Sequence, residues 1–389
     1  MNVPEIPTNP GPLDGVRVID LTTWLGAYTG RLLADLGAEV IRVEPDGGVP
    51  ERRRPPFTAD GMSLSFVFTE VGKTSVSESE VDLEELLGTG QILLTSKGPA
   101  ALRAKGLHPD DVTRRHPSLV HVSISPYGLT GPHADRPASD LTLLAAGGLL
   151  SLAGDPDREP VRPWGSQSAV VGGVHAAAAT LIALLALETS GCGQTVDVSV
   201  QEAVAHSLEN AVQYLDLEGL VRKRAGAGPM EAGTGLFRCA DGWVYLVGGL
   251  GGRPLAWSAI VNWLEEGGIG EAAKLREDRW RQAEWRRSAE ARADFRAMFE
   301  RFALNRTKED LYERGQRCGI SIAPVSTPDD LLNSPQLNAQ SYFRRITVGT
   351  VELMLPGPPY RFSHANVGPG AGLPERATSS VLRHERITA

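Results

Sequence analysis

The side chains best suited to nucleophilic or acid–base chemistry crowd one stretch of the sequence. Ser166 and Ser168 precede a long alanine-rich segment, and His175 is the histidine nearest to them. A serine becomes a nucleophile only beside a general base. His175 falls inside the segment that reads as a helix, so its first reading is a helix residue and its second a catalytic one. Asp155 and Asp157 stand just upstream, in a Gly154-Asp155-Pro156-Asp157 turn. Cys192, Cys239 and Cys318 are far apart and show neither CxxC nor Cys/His spacing, so no metal site and no disulfide framework is implied. The turn Thr22-Thr23-Trp24-Leu25-Gly26 is not GxGxxG, so the dinucleotide fingerprint is missing.

The balance of charge narrows the partners. The 389 residues carry a net charge of -8, which argues against nucleic acid, because phosphate binding needs a basic surface. A local basic pocket can still hold one anionic ligand. Hydrophobic residues at 41% and charged residues at 22% are ordinary for a globular protein. Met1–Pro12 lacks the basic and apolar regions of a signal peptide. Ala169–Leu187 is about long enough to span a bilayer, but Gly172, Gly173, His175 and Thr180 and the lack of basic flanks point to a buried helix. The expected location is cytoplasmic, with no membrane partner.

These residues need a scaffold, and its elements are readable. Val16–Leu21 is an apolar run suited to a buried parallel strand, Gly26–Gly37 a helix with Leu32, Leu33 and Leu36 on one face, and Glu39–Glu44 a second strand. Together they make a βαβ unit. Gln91–Leu94 and Leu119–Ser123 read as further strands, and Gln194–Ser199 as another. Helices are expected over 137–151, Ser168–Glu188, Gln201–Leu217 and 328–343. The stretch Glu271–Arg317 is Arg- and Glu-rich and reads as helix with a solvated face. Gly235–Cys239 and Gly242–Val247 flank a tight turn, 320–325 is a strand, and 344–363 a final strand pair. Glycines over Gly226–Gly235 suggest a hinge.

Several segments in order resemble the family III CoA-transferases, the group that includes formyl-CoA and carnitine-CoA transferases and alpha-methylacyl-CoA racemase. They are residues 12–48, VSISPYGLTGP at 122–132, Asp140 with Gly147-Gly148, PVRPWG at 160–165, SGCGQTVDVSVQEAV at 190–204, FRCADGWVYL at 237–246 and GISIAPVSTPDDLLNSPQ at 319–336. The resemblance implies an α/β fold, with a Rossmann-like large domain over 1–225 and 331–389 and a smaller α+β domain over 226–330. It also implies an interlocked dimer, with CoA or acyl-CoA as substrate and no metal. By the same resemblance, Thr23, Leu25, Arg42, Ser96, Lys97, Arg103, Lys105 and Tyr127 are the expected CoA contacts. Gly248, Gly249, Gly251 and Gly252 resemble the glycine loop that closes over the thioester, though a loose surface turn reads equally well.

The family's chemistry starts from an aspartate that attacks the thioester, a role suited to a group ionised at neutral pH. The aspartate stands four residues before the glycine that corresponds to Gly173, and here that position is Ala169. Its neighbours Ser166, Gln167, Ser168, Val170 and Val171 are not ionisable. Asp155, Asp157 and His175 are the remaining weak candidates. Other positions depart as well: an asparagine-arginine-glycine-lysine stretch reads Glu70-Val71-Gly72-Lys73, and a CoA-contacting stretch reads Thr95-Ser96-Lys97-Gly98-Pro99. Trp24 and Trp164 are expected either to line the acyl pocket or to lie in the core.

Four readings follow. The chain is a subunit without its own nucleophile, homodimeric or paired with an active paralogue; or an isomerase- or lyase-type acyl-CoA enzyme with non-aspartate chemistry. Otherwise it is a conventional transferase with a displaced carboxylate, or a CoA-binding protein without turnover.

Overall fold

The computed structural model describes residues 10–226, 230–250 and 252–370. Two compact units emerge. The larger comprises residues up to Ser151, Arg162–Arg222 and those from Pro335 onward; the smaller comprises Leu152–Val161 and Lys223–Ser334.

The large unit is built on six parallel strands: β1 (Arg17–Leu21), β2 (Glu39–Glu44), β3 (Thr74–Ser77), β4 (Ile92–Thr95), β5 (Val120–Ser125) and β6 (Thr195–Ser199). Their order is β3-β2-β1-β4-β5-β6, the doubly wound arrangement. The middle strands are buried along their length, as an apolar run covered on both faces requires. The helices are α1 (Ala27–Asp35), α2 (Leu64–Glu70), α3 (Leu83–Leu87), α4 (Pro99–Ala104), α5 (Pro109–Arg115), α6 (Asp140–Ala146), α7 (Gln167–Ser190), α8 (Val200–His206) and α9 (Ala211–Glu218).

The apolar segment read as a buried helix is α7. Its N-terminal half packs on α1 and α8 at close range: a Cβ added at Gly173 would stand 3.2 Å from the Tyr28 side chain, and one at Gly172 2.8 Å from Val200. Ala176, Ala177, Thr180, Ala183 and Leu184 continue into the core, while Ile182 and Leu185 are exposed.

Some expectations are corrected. The helix expected over Gln201–Leu217 is two helices, because the chain turns at residues 207–210 and Glu209 takes a positive φ of 57°. The helix expected over 328–343 is two short pieces, Pro328–Leu332 and Pro335–Ala339, because Pro335 cannot continue the first. The helix expected over 137–151 shrinks to α6 and a short 3₁₀ turn, Leu149–Leu152.

The small unit has a three-stranded antiparallel sheet, in which Gly242–Val247 lies between Thr234–Cys239 and Ser321–Pro324. The Arg/Glu-rich stretch is not merely a solvated face. The helix Ala289–Ala303 buries Phe295, Met298, Phe299 and Phe302, and Trp280 and Arg286 are fully buried beside it.

Candidate functional site

In a doubly wound sheet, ligands lie beyond the carboxyl ends of the strands where the order reverses. Here that point falls between β1 and β4. The loop after β1 meets the loop after β4 there: Ser96 Oγ lies 2.6 Å from the Thr23 amide, which donates to it, and 2.9 Å from Thr23 Oγ1. Two of the expected CoA contacts are thus brought together. Lys97, Arg103 and Lys105 are exposed beyond β4, and Lys105 pairs with Glu78 at 3.1 Å. Tyr127 is half-buried after β5, its ring edge-on to His133.

Two of the expected contacts have buried side chains. Leu25 is a core residue, with its side chain among Leu33, Ile124 and Val200 in one apolar cluster. Arg42 is fully buried, and its guanidinium serves internal carboxylates. Arg42 Nη1 reaches Asp20 Oδ1 at 2.8 Å, and Nε lies 3.7 Å from Glu70 Oε2. Lys73 Nζ completes the cluster at 2.9 Å from Asp20 Oδ2 and 2.7 Å from Glu70 Oε2. Burial alone would raise the Asp20 pKa, but Lys73 and Arg42 hold it well below the usual carboxylate range. Burial likewise opposes the Arg42 charge, yet Asp20, Glu70, Glu44 and Glu51 together raise its pKa. Glu70 and Lys73, the residues that depart from and keep the family's stretch, form part of this internal cluster. It ties β1, β2 and the start of α1, where Lys73 also donates to Ala27 O at 2.8 Å.

Beside this cluster lies a cavity of about 780 Å³, lined by Trp24, Tyr28, Glu51, Arg54, Phe68, Arg162, Trp164 and Ala169 among others. Ala169, in the first turn of α7, is among the lining residues and is only 4% exposed, packed in the core cluster of the large unit. Trp24 is half-buried and packs against the core cluster, Trp164 is 91% exposed, and both line the cavity. Ser168 turns away toward Asp140, donating from its backbone N–H at 2.9 Å and its hydroxyl at 2.8 Å to Oδ1. Oδ2 of Asp140 lies 3.5 Å from Arg162 Nε.

The other sequence candidates lie elsewhere. His175 is exposed on α7, with Nδ1 2.9 Å from Val171 O and its ring edge-on to His206, and it does not line the cavity. Asp155 and Asp157 belong to the small unit, where Arg224 Nε donates to Asp155 O at 3.1 Å. Gly248 and Gly249 are not a loose turn. Both are buried, Gly249 N donates to Thr234 Oγ1 at 3.0 Å, and a Cβ at Gly249 would stand 2.6 Å from Glu231. Gly252 O accepts from Arg286 at 2.8 Å. Gly251 lies outside the described residues.

Sequence reasoning missed Glu51 and Arg54. They sit on a Pro-Glu-Arg-Arg-Arg-Pro-Pro run whose 3₁₀ turn, Pro50–Arg53, has no periodic signal. It also missed the role of Asp140, although it singled out the residue, and that of Arg286.

The family profile described as CoA-transferase family III matches residues 13–377. The chain belongs to CoA-transferase family III. It is 38% identical over 363 residues to the BbsE subunit of succinyl-CoA:(R)-benzylsuccinate CoA-transferase from Thauera aromatica, covering 89% of this chain and 87% of that one. It is 33% identical over 245 residues to the beta subunit of succinyl-CoA–L-malate CoA-transferase from Chloroflexus aurantiacus, covering 60% of each chain. A solved CAIB/BAIF family protein from Brucella suis matches with a TM-score of 0.83 and 26% identity, over 96% of this chain and 98% of the other. Some family members are therefore named as subunits of assemblies with more than one kind of chain. The family's substrates are CoA thioesters.

Proposed function

We propose that this chain is a subunit of a CoA-transferase that handles acyl-CoA thioesters, and that it lacks its own nucleophile and pairs with an active paralogous chain. The observation that carries this reading is Ala169. Ala169 lines the cavity at the position where the chain's sequence resemblance to the family places the attacking carboxylate, and the next ionisable side chains along α7 are His175, which does not line the cavity, and Glu188. A methyl cannot form the acyl–enzyme bond on which covalent CoA transfer depends.

Two further observations support pairing. The relative with 38% identity is itself named a subunit. Exposed apolar side chains recur on the large unit, at Val174, Ile182 and Leu185 on α7 and at Val212, Leu215 and Leu217 on α9. Apolar surface of that kind suits burial against a second chain. CoA itself would be taken at the crevice marked by Thr23 and Ser96, with Lys97, Arg103 and Lys105 as exposed cations for its phosphates.

The test compares the purified chain alone with the same chain co-expressed with a paralogue that carries aspartate at this position. The reading expects a stable two-chain complex that transfers CoA and a single chain that does not. CoA transfer by the single chain would overturn it.

A further inference from the structure

We propose that the cavity beside Ala169 holds a free carboxylic acid with an aromatic body, its carboxylate on Arg54 and its ring against Tyr28 and Phe68. The inference deepens the reading of this chain as a subunit that handles acyl groups, and it rests on that reading.

Charge decides the first half. Glu51 is the one carboxylate among the lining residues, and it is buried, with Oε1 accepting the Trp24 backbone N–H at 3.2 Å. Its Oε2 is sealed from solvent, so this carboxylate is poorly placed to meet a ligand. Position 169, where a carboxylate is expected, adds no charge. The exposed charges on the cavity are two guanidiniums, Arg54 and Arg162. Arg162 is already engaged: Nε lies 3.5 Å from Asp140 Oδ2 and Nη2 donates to Gly165 O at 3.0 Å. The Arg54 guanidinium has no hydrogen bond or ion pair among the described residues. A second cavity of about 300 Å³ shares Trp24, Arg54, Arg162 and Ser166 with the first, so Arg54 stands where two hollows meet. An anion suits that place, and the planar guanidinium fork matches a carboxylate.

The rest of the wall decides the second half. The rings of Tyr28 and Phe68 stack with centroids 5.4 Å apart and planes 12° apart, and both residues are half-buried. Trp24 and Trp164 line the same cavity. An aryl ring set on such a shelf gains quadrupole contacts that a saturated ring of similar area does not. The volume of about 780 Å³ lies in the range of small-molecule sites and leaves room for a ring on a short chain.

Three probes separate the two halves: phenylacetate, cyclohexylacetate and the neutral phenethyl alcohol. Calorimetric titration of the purified protein in its native assembly should show phenylacetate binding about tenfold more tightly than the alcohol, the range for a hydrogen bond to a charged group. It should also bind at least about threefold more tightly than cyclohexylacetate. Arg54→Ala, at an exposed position, should bring acid and alcohol level and keep the preference for the aryl ring. Phe68→Leu should remove that preference and keep the one for the acid; Tyr28→Leu repeats the test from the other ring and guards against a folding defect in the first. The substitutions are confined to this chain, so a site on a paired chain does not move with them. Binding of none of the probes, equal affinities, or ratios that survive these substitutions would overturn the inference and leave the subunit reading standing. Turnover by the single chain would sink the subunit reading without changing these ratios, so the two proposals fail separately.

Discussion

Ser168 gives both its backbone N–H and its hydroxyl to the same oxygen of Asp140. The pair fixes the first turn of α7 against the start of α6. The next residue, Ala169, is among those that line the cavity.

Replacing Asp140 with alanine should strand two buried donors and cost about 3 kcal/mol, given the usual strength of hydrogen bonds to a charged group. Urea unfolding of the variant measures it. Ser168→Ala, which removes only the hydroxyl, should cost roughly 1 kcal/mol. Equal costs for the two variants would show that the backbone N–H contributes nothing.

Asp20 holds Arg42 and Lys73 together at the carboxyl end of β1. Asp20→Asn leaves two buried cations with one carboxylate fewer. A loss of about 3–5 kcal/mol is expected. A loss below about 1 kcal/mol, read from chemical unfolding, would mean that the cluster is not the organiser of this corner.

Much of this scaffold was legible because its signals are local. The first strand, α1 and the second strand follow from an apolar run, a stripe of Leu32, Leu33 and Leu36, and a second run. β3 escaped because Thr74-Ser75-Val76-Ser77 is short and polar, and becomes a strand only through its pairing with β2. Phe295, Phe299 and Phe302 were hidden among arginines and glutamates, although their spacing places them on one face of a helix. The site was legible in part. Thr23 and Ser96, each expected as a CoA contact, are hydrogen-bonded to one another, whereas no linear pattern tells that Arg42 turns inward to Asp20 or that Glu51 reaches Trp24. Those are consequences of tertiary packing, and sequence spacing does not encode them.

His121 gives the fold a dependence on pH. Burial, aided by nearby His108, lowers its pKa to about 4 from 6.5, and Thr95 Oγ1 lies 3.0 Å from its Nε2. The unfolded chain therefore binds this proton at higher pH than the folded one. The contribution is complete above about pH 6.5, is lost as pH falls toward 4, and totals about 3 kcal/mol. Unfolding midpoints across that window should fall with acidity, and His121→Gln should flatten the slope. An unchanged slope would contradict the assignment.

In the small unit, Arg286 is fully buried and donates to Trp280 O, Gly252 O and Glu231. Arg286→Met should destabilise this unit by about 3–5 kcal/mol, because Glu231 is left buried and unpaired. Pairing it with Glu231→Gln should recover part of the loss. Hydrogen exchange of the strand Thr234–Cys239 reports it, and unchanged protection there would exclude the role.

The most direct test of the account's centre is covalent trapping at position 169. The purified chain is incubated with an acyl-CoA and hydroxylamine, and the intact mass and peptide map are read. The account predicts no acyl adduct and no hydroxamate on any carboxylate of the single chain, at Asp155, Asp157 or Glu51 included. A stoichiometric adduct on the unaltered chain alone would contradict it.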